Sequence, residues 1–190
     1  MRLNFPPREE LKRKAAAEDW DSLAVCSKSF VLAGLSEQNV QKSASVLAGQ
    51  ARTGDVIALS GDLGAGKTVF AKAFVRALTN EDEDVPSPTF TLVQIYDGRR
   101  DGKDLPVWHF DLYRLKSAEE IYETGFEEAL SDGVSLIEWP ERADNLLPRD
   151  RLIIHLEAPA NQPDKRNMTI TANTADWIQR MENIKACLNV

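Results

Sequence analysis

No apolar run in this 190-residue chain approaches the roughly 18 residues a membrane-spanning helix needs, so no membrane role is expected. A long basic block is missing as well. With 23 Lys and Arg against 30 Asp and Glu, the formal charge is −7, which argues against this chain alone gripping a nucleic-acid backbone. Cysteine is scarce: Cys26 and Cys187 form neither a metal pair nor a CxxC motif, so two free thiols in a reducing compartment are expected. The basic N-terminus has no apolar core behind it, so no secretory signal is expected and the cytoplasm is the expected location. Repeats, low-complexity tracts and a second-domain linker are also missing. What remains is ordinary globular composition, 43% hydrophobic and 28% charged, enough for one core. Residues 1–28, with Pro6-Pro7 and the charged run Arg8 to Lys14, are read as an N-terminal extension, and residues 29–190 as one domain.

The stretch that names a ligand is Gly61-Asp62-Leu63-Gly64-Ala65-Gly66-Lys67-Thr68, which fits G-x-x-x-x-G-K-[ST]. Glycines let successive backbone N–H groups turn inward around phosphates. Lys67 supplies a point charge to the same oxygens, and the Thr68 hydroxyl can ligate the accompanying Mg²⁺. The flanks agree. Val56–Ser60 is a short apolar run suited to a buried strand, and Val69–Leu78 spaces its apolar residues along one helix face. The phosphate would then sit at a helix N-terminus, where the dipole favours it.

Around this centre the chain alternates strands and helices. Strands are expected at Ser29–Ala33, Phe90–Tyr96, Val107–Leu112 and Val134–Trp139, with a terminal hairpin from Arg151–Glu157 and Met168–Thr171. Helices are expected over Glu37–Gln50 behind the Ser36 cap, from a capping box at Ser117-Ala118-Glu119-Glu120 to near Gly125, and over Ala175–Leu188. The fold class is α/β: a phosphate-loop domain with a mixed central sheet flanked by helices, ending in a hairpin and helix.

Further candidates sit downstream. Pro86-Ser87-Pro88-Thr89 is held extended by its prolines, so Thr89 can act as a switch hydroxyl or simply begin a strand. His109 and Asp111 share a strand face and can order a water or ligand, or bond each other. Glu138 ends an apolar strand at the edge where open α/β sheets bind ligands, which suits a magnesium ligand. Asp111 competes for that role; Glu138 is preferred because its strand is a continuous apolar run, suited to the sheet interior. Trp139 can pack beneath a nucleotide or seal the sheet end, and Arg166 can reach a nucleotide or stay exposed.

Taken in series, GDLGAGKT, PSPTFTLVQIY, HFDLYRL and LIEWPERA resemble the TsaE (formerly YjeE) family of ATPases in bacterial tRNA threonylcarbamoyladenosine biosynthesis. The resemblance spans about residues 30–171. It implies an ATP- and Mg²⁺-binding domain that works with the threonylcarbamoyl transferase and its inactive paralogue, reaching tRNA only through that complex. It implies weak hydrolysis alone and a resetting role between rounds. By matching position, Gly61, Asp62, Leu63, Gly64, Ala65, Gly66, Lys67 and Thr68 cradle phosphate, and Thr68 and Glu138 ligate Mg²⁺. Asp111 supports the attacking water or the metal's surroundings, Thr89 becomes the switch residue, and Trp139, Ser36 and Arg166 border the nucleotide.

Two rivals stand beside this reading. A small kinase would need a lid rich in arginine, and none is evident around Arg99, Arg100 and Arg114. A nucleotide-gated binding module would keep its role when turnover is abolished at Glu138. A GTPase is disfavoured, because the chain contains no N/T-K-x-D motif.

Overall fold

A computed structural model describes residues 27–188. Cys26 and all but the last two residues of the extension assigned to 1–28 therefore lie outside the described residues.

The described chain runs β1 (Lys28–Leu35), α1 (Glu37–Ala48), β2 (Val56–Ser60), α2 (Lys67–Leu78), β3 (Val93–Tyr96), β4 (Arg99–Arg100), β5 (Lys103–Asp104) and β6 (Val107–Asp111). A 3-10 segment (Ala118–Thr124) follows, then α3 (Phe126–Asp132), β7 (Val134–Glu138), β8 (Leu152–Glu157), β9 (Arg166–Ala172) and α4 (Ala175–Leu188). The main sheet has the order β1-β9-β8-β2-β7-β6-β3. Its middle is parallel, with β2 between β8 and β7 and β6 beyond, while β1, β9 and β3 join antiparallel at the margins. Parallel strands need cover on both faces. Ile57, Leu59, Leu136 and Ile154 face a core that includes Phe70 and Phe74 of α2, Leu47 of α1 and Met181 of α4. Val56 and Ile137 face the opposite way, into a second core with Phe110, Ile121 and Phe126. The result is a single α/β domain with helices on both sides of its sheet.

This order sets the site. The three parallel strands β2, β7 and β6 end side by side, with Leu59 opposite Glu138 and Glu138 opposite Asp111. The glycine loop leaves β2 at that edge, and both acids stand beside it.

Three expectations change. The strand expected from Phe90 begins only at Val93, because Leu92 takes φ 64° and its N–H bonds Pro88 O at 2.7 Å, closing a turn. The segment after Ser117 is a 3-10 helix rather than a capped α-helix. Ser117 makes no side-chain cap, and Glu120 accepts from the Lys116 N–H at 3.2 Å instead. The strand carrying Asp111, whose alternation suggested a half-buried strand, is buried at all five residues, between β7 and β3; β7, the strand of Glu138, is nonetheless the more interior of the two and lies beside β2 as its apolar run implied.

Candidate nucleotide-binding site

The loop from Gly61 to Gly66 is shaped by backbone that only glycine holds without strain. Gly61 has φ 132°, and a Cβ there would lie 2.1 Å from the Leu156 carbonyl oxygen of β8. Gly66, at φ 105°, stands immediately before the first turn of α2. Arg166 fixes the loop from behind. Its Nε donates to Ala65 O and its Nη2 to Gly64 O, both at 3.0 Å, while Nη1 donates to Pro163 O and Lys165 O, each at 2.6 Å. With carbonyls drawn toward the guanidinium, the loop's N–H groups, other than that of Ala65, which donates to Asp62 O at 3.1 Å, are left for an anion.

Lys67 is buried at the mouth of α2. Its ammonium donates to Gly61 O at 2.6 Å and Asp62 O at 2.8 Å, and lies 3.7 Å from the Trp139 ring centroid. Burial lowers its pKa, against the pull of Glu138, Glu141, Asp111 and Asp62. Trp139 reaches this place through left-handed backbone at φ 58°, a conformation uncommon for a bulky residue. Tyr113 leans on it, with ring centroids 4.9 Å apart.

The Thr68 hydroxyl donates to Glu138 Oε2 at 3.0 Å. Octahedral Mg²⁺ with bonds of about 2.0–2.1 Å places neighbouring ligand oxygens about 2.9 Å apart, so this pair fits one edge of its shell. Among the described residues no group of three or more His, Cys, Asp or Glu forms a metal cage. Mg²⁺ needs no such cage, since it takes one or two protein ligands plus phosphate and water. The other oxygen, Glu138 Oε1, is 2.9 Å from His109 Nε2.

Asp111 turns elsewhere. Its Oδ2 accepts from Thr89 Oγ1 at 2.6 Å and Ser87 Oγ at 3.2 Å, and its Oδ1 accepts from the Tyr113 N–H at 3.1 Å. His109 and Asp111 thus share a strand but not a partner. Asp111 anchors the Pro86–Thr89 segment beside the loop, and Glu138 holds the threonine.

These residues line one cleft of about 330 Å³, within the range of small-molecule sites, including Leu63, Gly64, Gly66, Lys67, Thr68, Thr89, Asp111, Glu138 and Trp139. Lys67 is the one basic side chain among its described lining residues. Ser36 and Arg166 are not in that lining. Ser36 caps α1 by accepting from the Asn39 N–H at 3.3 Å, directly after Leu35, which pairs with Arg166 across β1 and β9. Sequence reasoning passed over Ser87 and Tyr113. Each stands two residues from a named candidate, Thr89 or Asp111, and a period of two along extended chain would have flagged both.

A family model described as "Threonylcarbamoyl adenosine biosynthesis protein TsaE" matches residues 35–168, which span every site residue from Ser36 to Arg166. The chain is 43% identical over 138 residues to the tRNA threonylcarbamoyladenosine biosynthesis protein TsaE of Rickettsia conorii, covering 73% of this chain and 75% of that one. The protein of the same name from Bacillus subtilis is 40% identical over 130 residues, 68% of this chain and 77% of that one. The crystal structure of Bacillus subtilis YdiB superposes with a TM-score of 0.67 at 30% identity, covering 84% of this chain and 96% of that one.

Proposed function

The chain belongs to the TsaE family, and from that premise we propose that it is a Mg²⁺-dependent ATPase of tRNA threonylcarbamoyladenosine formation, stimulated by its partner proteins. The observation that carries this reading is the Thr68–Glu138 pair, 3.0 Å apart at the end of the glycine loop. A hydroxyl at a helix N-terminus and a carboxylate at the neighbouring strand end form the metal-holding pair of phosphate-loop hydrolases.

Mg²⁺ held by Thr68 with Glu138 would supply positive charge to offset the negative charge of the phosphate oxygens. The rest is done by side chains of this chain. Lys67 exchanges the Gly61 and Asp62 carbonyls for phosphate oxygens, and Trp139 keeps water from its ammonium. Arg166 holds the loop so that its N–H groups are aimed before substrate arrives, which removes reorganisation from the barrier. Asp111 has three of about four acceptor positions filled by Thr89, Ser87 and Tyr113, leaving one for the attacking water. Thr89 couples that carboxylate to the Pro86–Thr89 segment, so a change at the γ-phosphate is felt on the outer surface. Lys67 alone is basic among the described lining residues, so charge for the transition state is completed by the transferase complex. A cation supplied in trans raises turnover by about 10³–10⁵-fold in related chemistry.

The test is to deplete the protein in cells, complement with wild type or Lys67→Ala, and quantify threonylcarbamoyladenosine in bulk tRNA by mass spectrometry. ATP turnover with the transferase and its paralogue is measured in parallel. Lys67→Ala is expected to lower stimulated turnover by at least about 10²-fold and to leave the modification low. Normal turnover by Lys67→Ala beside the partners would overturn the reading.

A further inference from the structure

We propose that His109 is a positioning residue for the metal, pinning Glu138 by Oε1 so that its other oxygen, Oε2, faces the cation beside Thr68. The inference rests on the nucleotide reading above and extends it to a side chain that touches neither nucleotide nor metal.

His109 is fully buried, and Glu138 is 2% exposed. Their contact, Nε2 to Oε1 at 2.9 Å, is made across the β6–β7 ladder. A carboxylate only accepts, so the ring proton sits on Nε2. The other ring nitrogen, Nδ1, is buried without a partner among the described residues. An apolar side chain would fill this space without stranding a polar atom, so the imidazole's gain here is its single bond to Glu138.

The bond matters because of how Glu138 is otherwise held. Its terminal torsion is soft and close to two-fold, so burial alone does not set which oxygen points where. His109 takes Oε1 and Thr68 takes Oε2. With both contacts made, the carboxylate plane is fixed and Oε2 is delivered to the threonine hydroxyl. Asp111 stands directly opposite Glu138 in register, a second negative charge that a loosened carboxylate would turn away from. Without His109 the metal must orient its own ligand.

The test uses the full chain and calorimetry of ADP binding, first in EDTA and then across a Mg²⁺ titration. In His109→Leu, half-saturating Mg²⁺ should rise by about 10–100-fold while ADP affinity in EDTA stays within about twofold. His109→Gln, whose amide nitrogen reaches the Nε2 position, should recover Mg²⁺ dependence to within about threefold of wild type. An unchanged Mg²⁺ requirement in His109→Leu would overturn the proposal. So would a parallel loss of metal-free ADP affinity, which marks a packing role, or failure of the glutamine to rescue. Should His109→Leu not fold, His109→Asn, whose amide stops short of Glu138, takes its place with the same expectations. Wild-type protein whose ADP binding ignored Mg²⁺ would instead overturn the metal reading itself.

Discussion

Tyr96 carries a buried phenol that finds no hydrogen-bond partner among the described residues. Burial, reinforced by Glu83 and Asp84, pushes its pKa from 10.0 up to about 12. Because the folded value lies above the unfolded one, the folded state holds its proton longer, and stability falls as pH rises from 10 through about 12. Tyr96→Phe should flatten that decline in urea melts between pH 9 and 12. At pH 7 it should be neutral or slightly stabilising, within about 1 kcal/mol, since it removes an unsatisfied polar atom. A steeper alkaline decline would contradict this account. Single residues were legible in the sequence where spacing alone fixes their chemistry. Lys67 and Thr68 follow from the glycine pattern, and Glu138 follows from an apolar run ending in an acid. His109 was legible only as a neighbour of Asp111. Reading along one strand finds partners two residues away, whereas its real partner lies across the ladder.

The glycine loop is the element on which the site turns, and its glycines are not equivalent. At Gly61 a Cβ meets the Leu156 carbonyl at 2.1 Å on φ 132°; at Gly64, with φ 77°, it meets nothing within 4 Å among the described residues. Gly64→Ala should therefore carry only the left-handed penalty, about 1–2 kcal/mol. Gly61→Ala adds a backbone collision that β2 and β8 relieve only by parting. It should lower the melting temperature by more than about 5 °C, the shift expected from roughly 2 kcal/mol in a domain of this size, and abolish measurable ADP binding. Thermal melts and calorimetry on the pair would check the contrast; equal effects would argue against the close approach. Other elements show where patterns misled. Phe90-Thr91-Leu92 has strand-forming residues, yet Leu92 closes a turn to Pro88 and Phe90 stays 82% exposed. Ser117 to Glu120 has the spacing of a capping box, but Glu120 bonds one residue upstream of the Ser117 N–H. Local hydrogen bonds decided both cases.

At the scale of the whole molecule, the class of fold was readable because strand, loop and helix recur in order around one phosphate motif. The order of strands was only partly so. Placement of β7 beside β2 followed from its apolar run, but nothing in the residues of β6 announced that it too lay inside the sheet. That burial brings Asp111 and Glu138 into register and makes one cleft of the loop, the two acids and the Thr89 segment. Among the described residues no helix is long and apolar enough to cross a bilayer. The most direct measurement is a crystal structure grown with Mg²⁺ and a non-hydrolysable ATP analogue. It should show the triphosphate inside the Gly61–Thr68 loop, Lys67 moved from the Gly61 and Asp62 carbonyls onto phosphate, and the metal held at Thr68 with Glu138, directly or through one water. Nucleotide bound elsewhere, or a metal with Glu138 turned away, would contradict the account.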